Sequence, residues 1–176
     1  HVEKRSVLPS SSAVNWASMF MGAGPELHGY DGVGIKNART TFACAERAWH
    51  FPHRVQRVAQ GGSRCEMGVL YEWDGIKYLV DTLALNHHAQ APDYNTHPTA
   101  LCDMACEYIM QKKPVLSAFC FDNPDHVGTV TDTILRLIMP TERTGRLCGP
   151  YCGCHQGSGI YENSIIIVTA DHGGNQ

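Results

Sequence analysis

The chain has no apolar run long enough to cross a bilayer, no excess of positive charge, and no internal repeat or low-complexity linker. Each absence removes a class of function. A spanning helix needs roughly 20 consecutive apolar residues, so no membrane span is expected. With 14 Lys and Arg against 17 Asp and Glu, a net charge of -3, the chain lacks the basic surface on which nucleic-acid binding depends. An initiator Met and a secretory leader pattern are also missing. The opening residues His1-Val2-Glu3-Lys4 lead almost at once into a motif-like segment. The chain therefore reads as a fragment missing both ends, which leaves its compartment open.

What is present is enough chain, 176 residues, for one domain with a sizeable core, together with eight cysteines. Cys102, Cys106 and Cys120 fall in segments that read as a buried helix and a strand, where a free thiol is an ordinary small core side chain. The other five, Cys44, Cys65, Cys148, Cys152 and Cys154, lie in two segments that are irregular for a separate reason. Cys148, Cys152, Cys154 and His155 imitate a zinc knuckle, but the spacing C-x3-C-x-C-H is not a standard one. Neither a knuckle nor a disulfide framework is expected.

The local patterns alternate between helix and strand. Pro9 to Tyr30 reads as a loop and then a short helix, with Asn15 as N-cap ahead of Trp16–Met21 and Gly22 as its stop. Gly68 to Trp73 is strand-like, and Asp74-Gly75 signals a hairpin into Ile76–Val80. Leu101, Met104, Ala105, Tyr108 and Ile109 recur at helical spacing, which predicts a helix from about Thr99 to Lys112, ended by Pro114. Val115 to Phe121 then reads as a buried strand running into the acidic loop Asp122-Asn123-Pro124-Asp125-His126. The class is α/β.

The most informative stretch is the last. Ile165-Ile166-Ile167-Val168 is wholly apolar and β-branched, the pattern of a strand buried on both faces of a parallel sheet. It delivers Asp171 and His172 side by side, followed by Gly173-Gly174. Ligands of open α/β sheets sit beyond the carboxyl ends of strands, and carboxylate with imidazole suits a divalent metal of the zinc type. An Asp-His-Gly-Gly string alone is usually a turn, so its weight comes from the strand before it.

Three segments align in order: Leu8-Pro9-Ser10-Ser11-Ser12-Ala13-Val14-Asn15-Trp16, with Gly24-Pro25-Glu26-Leu27-His28-Gly29 after it; Pro124-Asp125-His126-Val127-Gly128; and Thr169-Ala170-Asp171-His172-Gly173-Gly174. Together they resemble the alkaline phosphatase superfamily, closest to its type I phosphodiesterase/nucleotide pyrophosphatase and sulfatase-like branch. The resemblance implies an alkaline phosphatase-like sandwich, with a mostly parallel central sheet and helices on both faces, incomplete here at both ends. It implies a hydrolase acting on a small-molecule phosphoester with two divalent metal ions of the zinc type. Ser12 would be the nucleophile and, with Asp171 and His172, a ligand of one ion; Asp125 would bind the other. Asp122, His126, His87 and His88 match no role in the family's pattern, and Asn15 reads as a cap rather than a substrate contact. A sulfatase would need Pro and Arg at set places after its modified residue, and Ala13-Val14-Asn15-Trp16 supplies neither. Sulfate-ester hydrolysis is therefore the weaker alternative, and phosphoester hydrolysis is preferred.

The chain also departs from that pattern. The family's second motif is Asp-x-x-Gly-His, and Thr129 stands where its metal-binding His belongs. A further Asp and a further His of the family's site would lie outside the fragment. The second metal site is thus incomplete, and an inactive remnant or pseudoenzyme of the same family is the rival reading. One cause would account for the break. Read in a shifted frame from the last base of the Gly128 codon, permissible codons give His-Ser-His-Gly-Tyr-Asp-Thr-Pro-Ala-Tyr-Tyr-Ala, which restores Gly-His after Asp125 and a Gly-x-Asp-x-Pro-x-Tyr-Tyr pattern. His50 to Cys65, re-read likewise, becomes an amphipathic helix. Residues of about 38–65 and 129–158 are accordingly expected to be out-of-frame text, from a sequencing error or a decayed gene, which the coding DNA decides. The residues leave open the substrate, the metal's identity and the oligomeric state.

Overall fold

The computed structural model describes residues 6–28, 66–80, 85–93, 95–122 and 153–172. In chain order its elements are α1 (Ser12–Met21), α2 (Pro25–His28), β1 (Met67–Tyr71), a 3-10 turn (Asp74–Tyr78), β2 (His87–Gln90), α3 (Ala100–Lys112), β3 (Leu116–Cys120) and a second 3-10 turn (Tyr161–Asn163). Residues 153–158 are also helical. They fall into two compact units, one within His1–Cys65, Asp74–Asn86 and Ile167–Gln176, the other within Glu66–Trp73 and His87–Ile166.

The second unit carries the sheet. Its three strands are all parallel in the order β2-β1-β3, with Val69 opposite both His88 and Ala118. This is the α/β class that the alternating pattern predicts, realised as a small open parallel sheet with helices. β1 is the central strand and is buried along its whole length, as its Met-Gly-Val-Leu-Tyr composition requires of a strand with neighbours on both edges. α3 lies where its periodicity placed it. Thr99 opens it, with Oγ1 donating to the Asp103 carboxylate at 2.9 Å, and Lys113, at φ 48°, ends it in the left-handed region while its N–H donates to the Ile109 carbonyl. Leu101, Ala105 and Tyr108 share one face of α3 and form a core with Leu70 and Ala91, against which Met104 and Phe119 also pack. Burying each large apolar side chain there contributes about 1.5–3 kcal/mol.

Tyr108 explains a glycine. A Cβ on Gly68 would meet the Tyr108 ring and hydroxyl at 2.6 Å, so only a residue without one lets the ring lie across β1. The phenol donates to Glu66 Oε1 at 3.2 Å, and the His87 ring stacks on it at 5.1 Å between centroids. Burial and the neighbouring Glu66 carboxylate hold the Tyr108 phenol well above its ordinary range.

In the first unit, Val14, Ala17 and Phe20 of α1 are buried, Trp16 stacks on Phe20 at 5.8 Å, and Gly22 closes the helix at φ 62°. Ile76, Leu79 and Val80 are buried as well.

Four expectations are corrected. Asn15 is not the N-cap: the helix starts at Ser12 with Ser11 as cap residue, so Asn15 falls in its first turn. Asp74-Gly75 does not turn a hairpin. The segment is a 3-10 turn, because Ile76, Leu79 and Val80 recur at helical spacing and β1 takes its partners from β2 and β3 instead. Ile165–Val168 is not a buried strand, since these residues belong to no ladder among the described residues and lie exposed. Finally, Cys106 is not a free core thiol. It is bonded to Cys154, 48 residues on, with Cα atoms 5.4 Å apart. Cys106 and Met110 stand one turn apart on α3, and a Cβ on Gly157 would lie 3.5 Å from Met110 Sδ, so this face of α3 is packed by the 153–158 turn.

Candidate functional site

Ser12 is the first residue of α1, and its position is fixed from two sides. Upstream, Ser11 is extended at φ -133° and ψ 152° and its carbonyl accepts the Asn15 N–H at 3.0 Å, which closes the first helical turn. Asn15, buried, then ties the preceding loop to the helix. Its Oδ1 accepts the Val7 N–H at 2.9 Å, and its Nδ2 donates to the Ser11 carbonyl at 3.0 Å. A side chain that satisfies both the loop and the helix leaves Ser12 little freedom of backbone. Downstream, Val14 and Ala17 bury the inner face of the same helix. The local pattern of Asn15 is that of a cap; its role as a latch depends on Val7, eight residues away, which no local pattern reveals.

The partner of Ser12 comes from the far end of the chain. His172 Nε2 lies 2.9 Å from Ser12 Oγ, a contact between residues 160 apart in sequence. The Asp171 Oδ2 carboxylate oxygen lies 3.5 Å from the same nitrogen. Both side chains are mostly enclosed, 12% exposed for His172 and 16% for Asp171. The structure thus brings together three of the four residues singled out from sequence. The fourth, Asp125, lies outside the described residues, as do His126, Thr129, Cys148 and Cys152.

The donor set tests whether a metal fits. An ion bonded tetrahedrally at about 2.0–2.1 Å leaves its ligand atoms about 3.3 Å from one another. The spacings from Nε2, 2.9 Å to Ser12 Oγ and 3.5 Å to Asp171 Oδ2, bracket that value. Hydroxyl, carboxylate and imidazole are also a chemically suitable combination for zinc. Among the described residues no group of three His, Cys, Asp or Glu side chains that could hold a metal ion converges.

The remaining histidines and acids have other surroundings. Asp122 donates its backbone N–H to Glu72 Oε2 at 2.7 Å just beyond β3. His87 and His88 are exposed on β2, His87 against Tyr108. His155 is buried, which pushes its imidazole below the ordinary histidine range, and Cys154 beside it is committed to the disulfide rather than to a knuckle. No helix among the described residues is long and apolar enough to cross a membrane.

No family model, curated protein or solved structure matches this chain.

Proposed function

We propose that the chain derives from a metal-dependent phosphoester hydrolase, phosphodiesterase- or nucleotide pyrophosphatase-like, in which Ser12 is the nucleophile. The observation that supports it is the meeting of Ser12 Oγ and His172 Nε2 at 2.9 Å, with Asp171 at the same nitrogen. A turn-forming Asp-His-Gly-Gly string has no reason of its own to meet a serine 160 residues away. In this reading the small parallel sheet is part of a larger alkaline phosphatase-like sandwich.

Ser12, Asp171 and His172 would hold one zinc-type ion, and Asp125 would contribute to a second. Such ions, when bound, acidify the hydroxyl and offset charge on the phosphoryl oxygens. The chain's own groups do the rest. Ser12 stands at the N-terminal end of α1, where the helix dipole favours a phosphate. The Asn15 latch holds its backbone against recoil. Ser12 Oγ attacks phosphorus in line, the alcohol leaves, and a phospho-seryl ester forms that water then hydrolyses.

The test is hydrolysis of p-nitrophenyl phosphate and its bis-ester by the purified chain with zinc added, alongside Ser12→Ala. Activity in the wild type that falls by at least about a thousandfold in the variant supports the reading. Zinc that neither binds nor yields a rate sinks it for this chain and favours the inactive remnant, the reading to which Thr129 in the second motif points.

A further inference from the structure

Gly153-Cys154-His155-Gln156-Gly157-Ser158 is helical but poorly equipped to hold itself on α3. A helix this short does not persist alone, and it carries glycine at both 153 and 157. Its buried side chains are those of His155 and Ser158. An imidazole and a hydroxyl return little of the stabilisation that burying an aliphatic side chain brings. Ser158 Oγ donates to the His155 carbonyl at 2.7 Å, and the Gly159 N–H donates to the Gln156 carbonyl at 3.1 Å. Both bonds close the turn upon itself. The covalent link differs in kind, because Cys106–Cys154 ties the turn to the middle of α3 across a sequence separation of 48. Closing so long a loop removes much of the freedom of the open state.

Exposure separates this bond from the free thiols of the same unit. Cys106 and Cys154 are both partly exposed, whereas Cys102 and Cys120 are each 3% exposed. A thiolate must reach a sulfur to break a disulfide, so an accessible bond is labile and a buried thiol is inert. We infer that Cys106–Cys154 is a redox-controlled tether: oxidised, it holds the 153–158 turn on α3, and reduced, it releases the turn while α3 and the sheet stay folded. α3 keeps its place without the bond, because Leu101, Ala105 and Tyr108 pack on Leu70 and Ala91. The step balances with a dithiol as reductant. The dithiol supplies two electrons and two protons, the S–S bond becomes two thiols, and the dithiol leaves as its own disulfide. Oxidised glutathione reverses it, departing as two glutathione thiols when the bond reforms. The inference does not rest on the hydrolase reading.

Amide hydrogen exchange of the full chain, read by mass spectrometry with and without dithiothreitol, tests this. The oxidised chain should yield a linked Cys106–Cys154 peptide. Reduction should speed exchange over 153–159 by at least about tenfold, while α3 and β1 change by less than about twofold, as expected of a local opening. Oxidised glutathione should restore the slow exchange. Cys154→Ser should exchange fast over 153–159 in either condition, and dithiothreitol should add nothing. Iodoacetamide on the folded, reduced chain should label Cys106 and Cys154 but spare Cys102 and Cys120. Absence of the linked peptide overturns the proposal, as does exchange over 153–159 that ignores reduction. Protection lost equally from α3 and β1 also overturns it, since the bond would then staple the whole unit. A Cys154→Ser chain that still responds to dithiothreitol, or labelling of Cys102 and Cys120 as fast as of the pair, overturns it too.

Discussion

β1 and Ile165–Val168 have nearly the same sequence character and opposite fates. Both are short apolar runs of the kind that reads as a strand buried on both faces. Met67–Tyr71 is buried from end to end, while three of the four residues in the second run are largely exposed and the fourth, Ile166, is 37% exposed. The difference lies in what flanks them. β1 has β2 on one edge, β3 on the other and α3 across it. Ile165–Val168 has no ladder partner among the described residues. Composition makes a segment fit to be buried; neighbours decide whether it is. Periodicity reports only the first of these, because it is a property of the segment alone.

The largest test of that contrast is at Leu70, which is fully buried between α3 and Ala91. Leu70→Ala removes contacts and leaves a cavity, and should cost about 2–5 kcal/mol of stability in urea denaturation. A loss under about 1 kcal/mol would mean that β1 is not the packed centre of its unit, and the comparison would collapse from that side.

The same contrast explains what could be read from sequence. α3 was legible to within a residue because Leu101, Ala105, Tyr108 and Ile109 carry a helical period and Pro114 stops it. β1 and β3 are legible as strands, but the parallel pairing of β1 with His87–Gln90 is not. β2 is polar and mostly exposed, so it shows no apolar alternation, and its ladder is fixed by hydrogen bonds to β1 rather than by burial. The 3-10 turn at Asp74–Tyr78 was misread because Asp-Gly is a strong hairpin signal only when the flanking runs pair with each other. The Cys106–Cys154 bond was hidden because it depends on which face of α3 meets the 153–158 turn. At the candidate site, motif resemblance points to Ser12, Asp171 and His172, and these three side chains meet in space. The Asn15–Val7 latch had no local signature.

A smaller effect is expected at Gly68, also on β1. Gly68→Ala places a methyl against the Tyr108 ring at 2.6 Å, and the ring cannot withdraw freely while its hydroxyl donates to Glu66. Overpacking of this kind should cost about 1–3 kcal/mol. The double variant Gly68→Ala with Tyr108→Ala should recover part of it, since the obstructing ring is then gone, and the coupling between the two sites measures the contact directly. If the two changes are strictly additive, the ring does not press on β1 and a different residue sets the need for glycine.

The smallest effect, and the one that tests the other side of the comparison, is at Ile167. It has the same aliphatic bulk as a core residue but is 80% exposed. Ile167→Ala should therefore change stability by no more than about 0.5 kcal/mol, the ordinary result for an exposed position. The residue type is held fixed in spirit between Leu70→Ala and Ile167→Ala, since each removes a branched aliphatic side chain to the same stub. Any large difference in cost is then a difference in neighbours. A cost at Ile167 of about 2 kcal/mol or more would be a core value. It would place the run under cover and restore the buried strand that its sequence suggests.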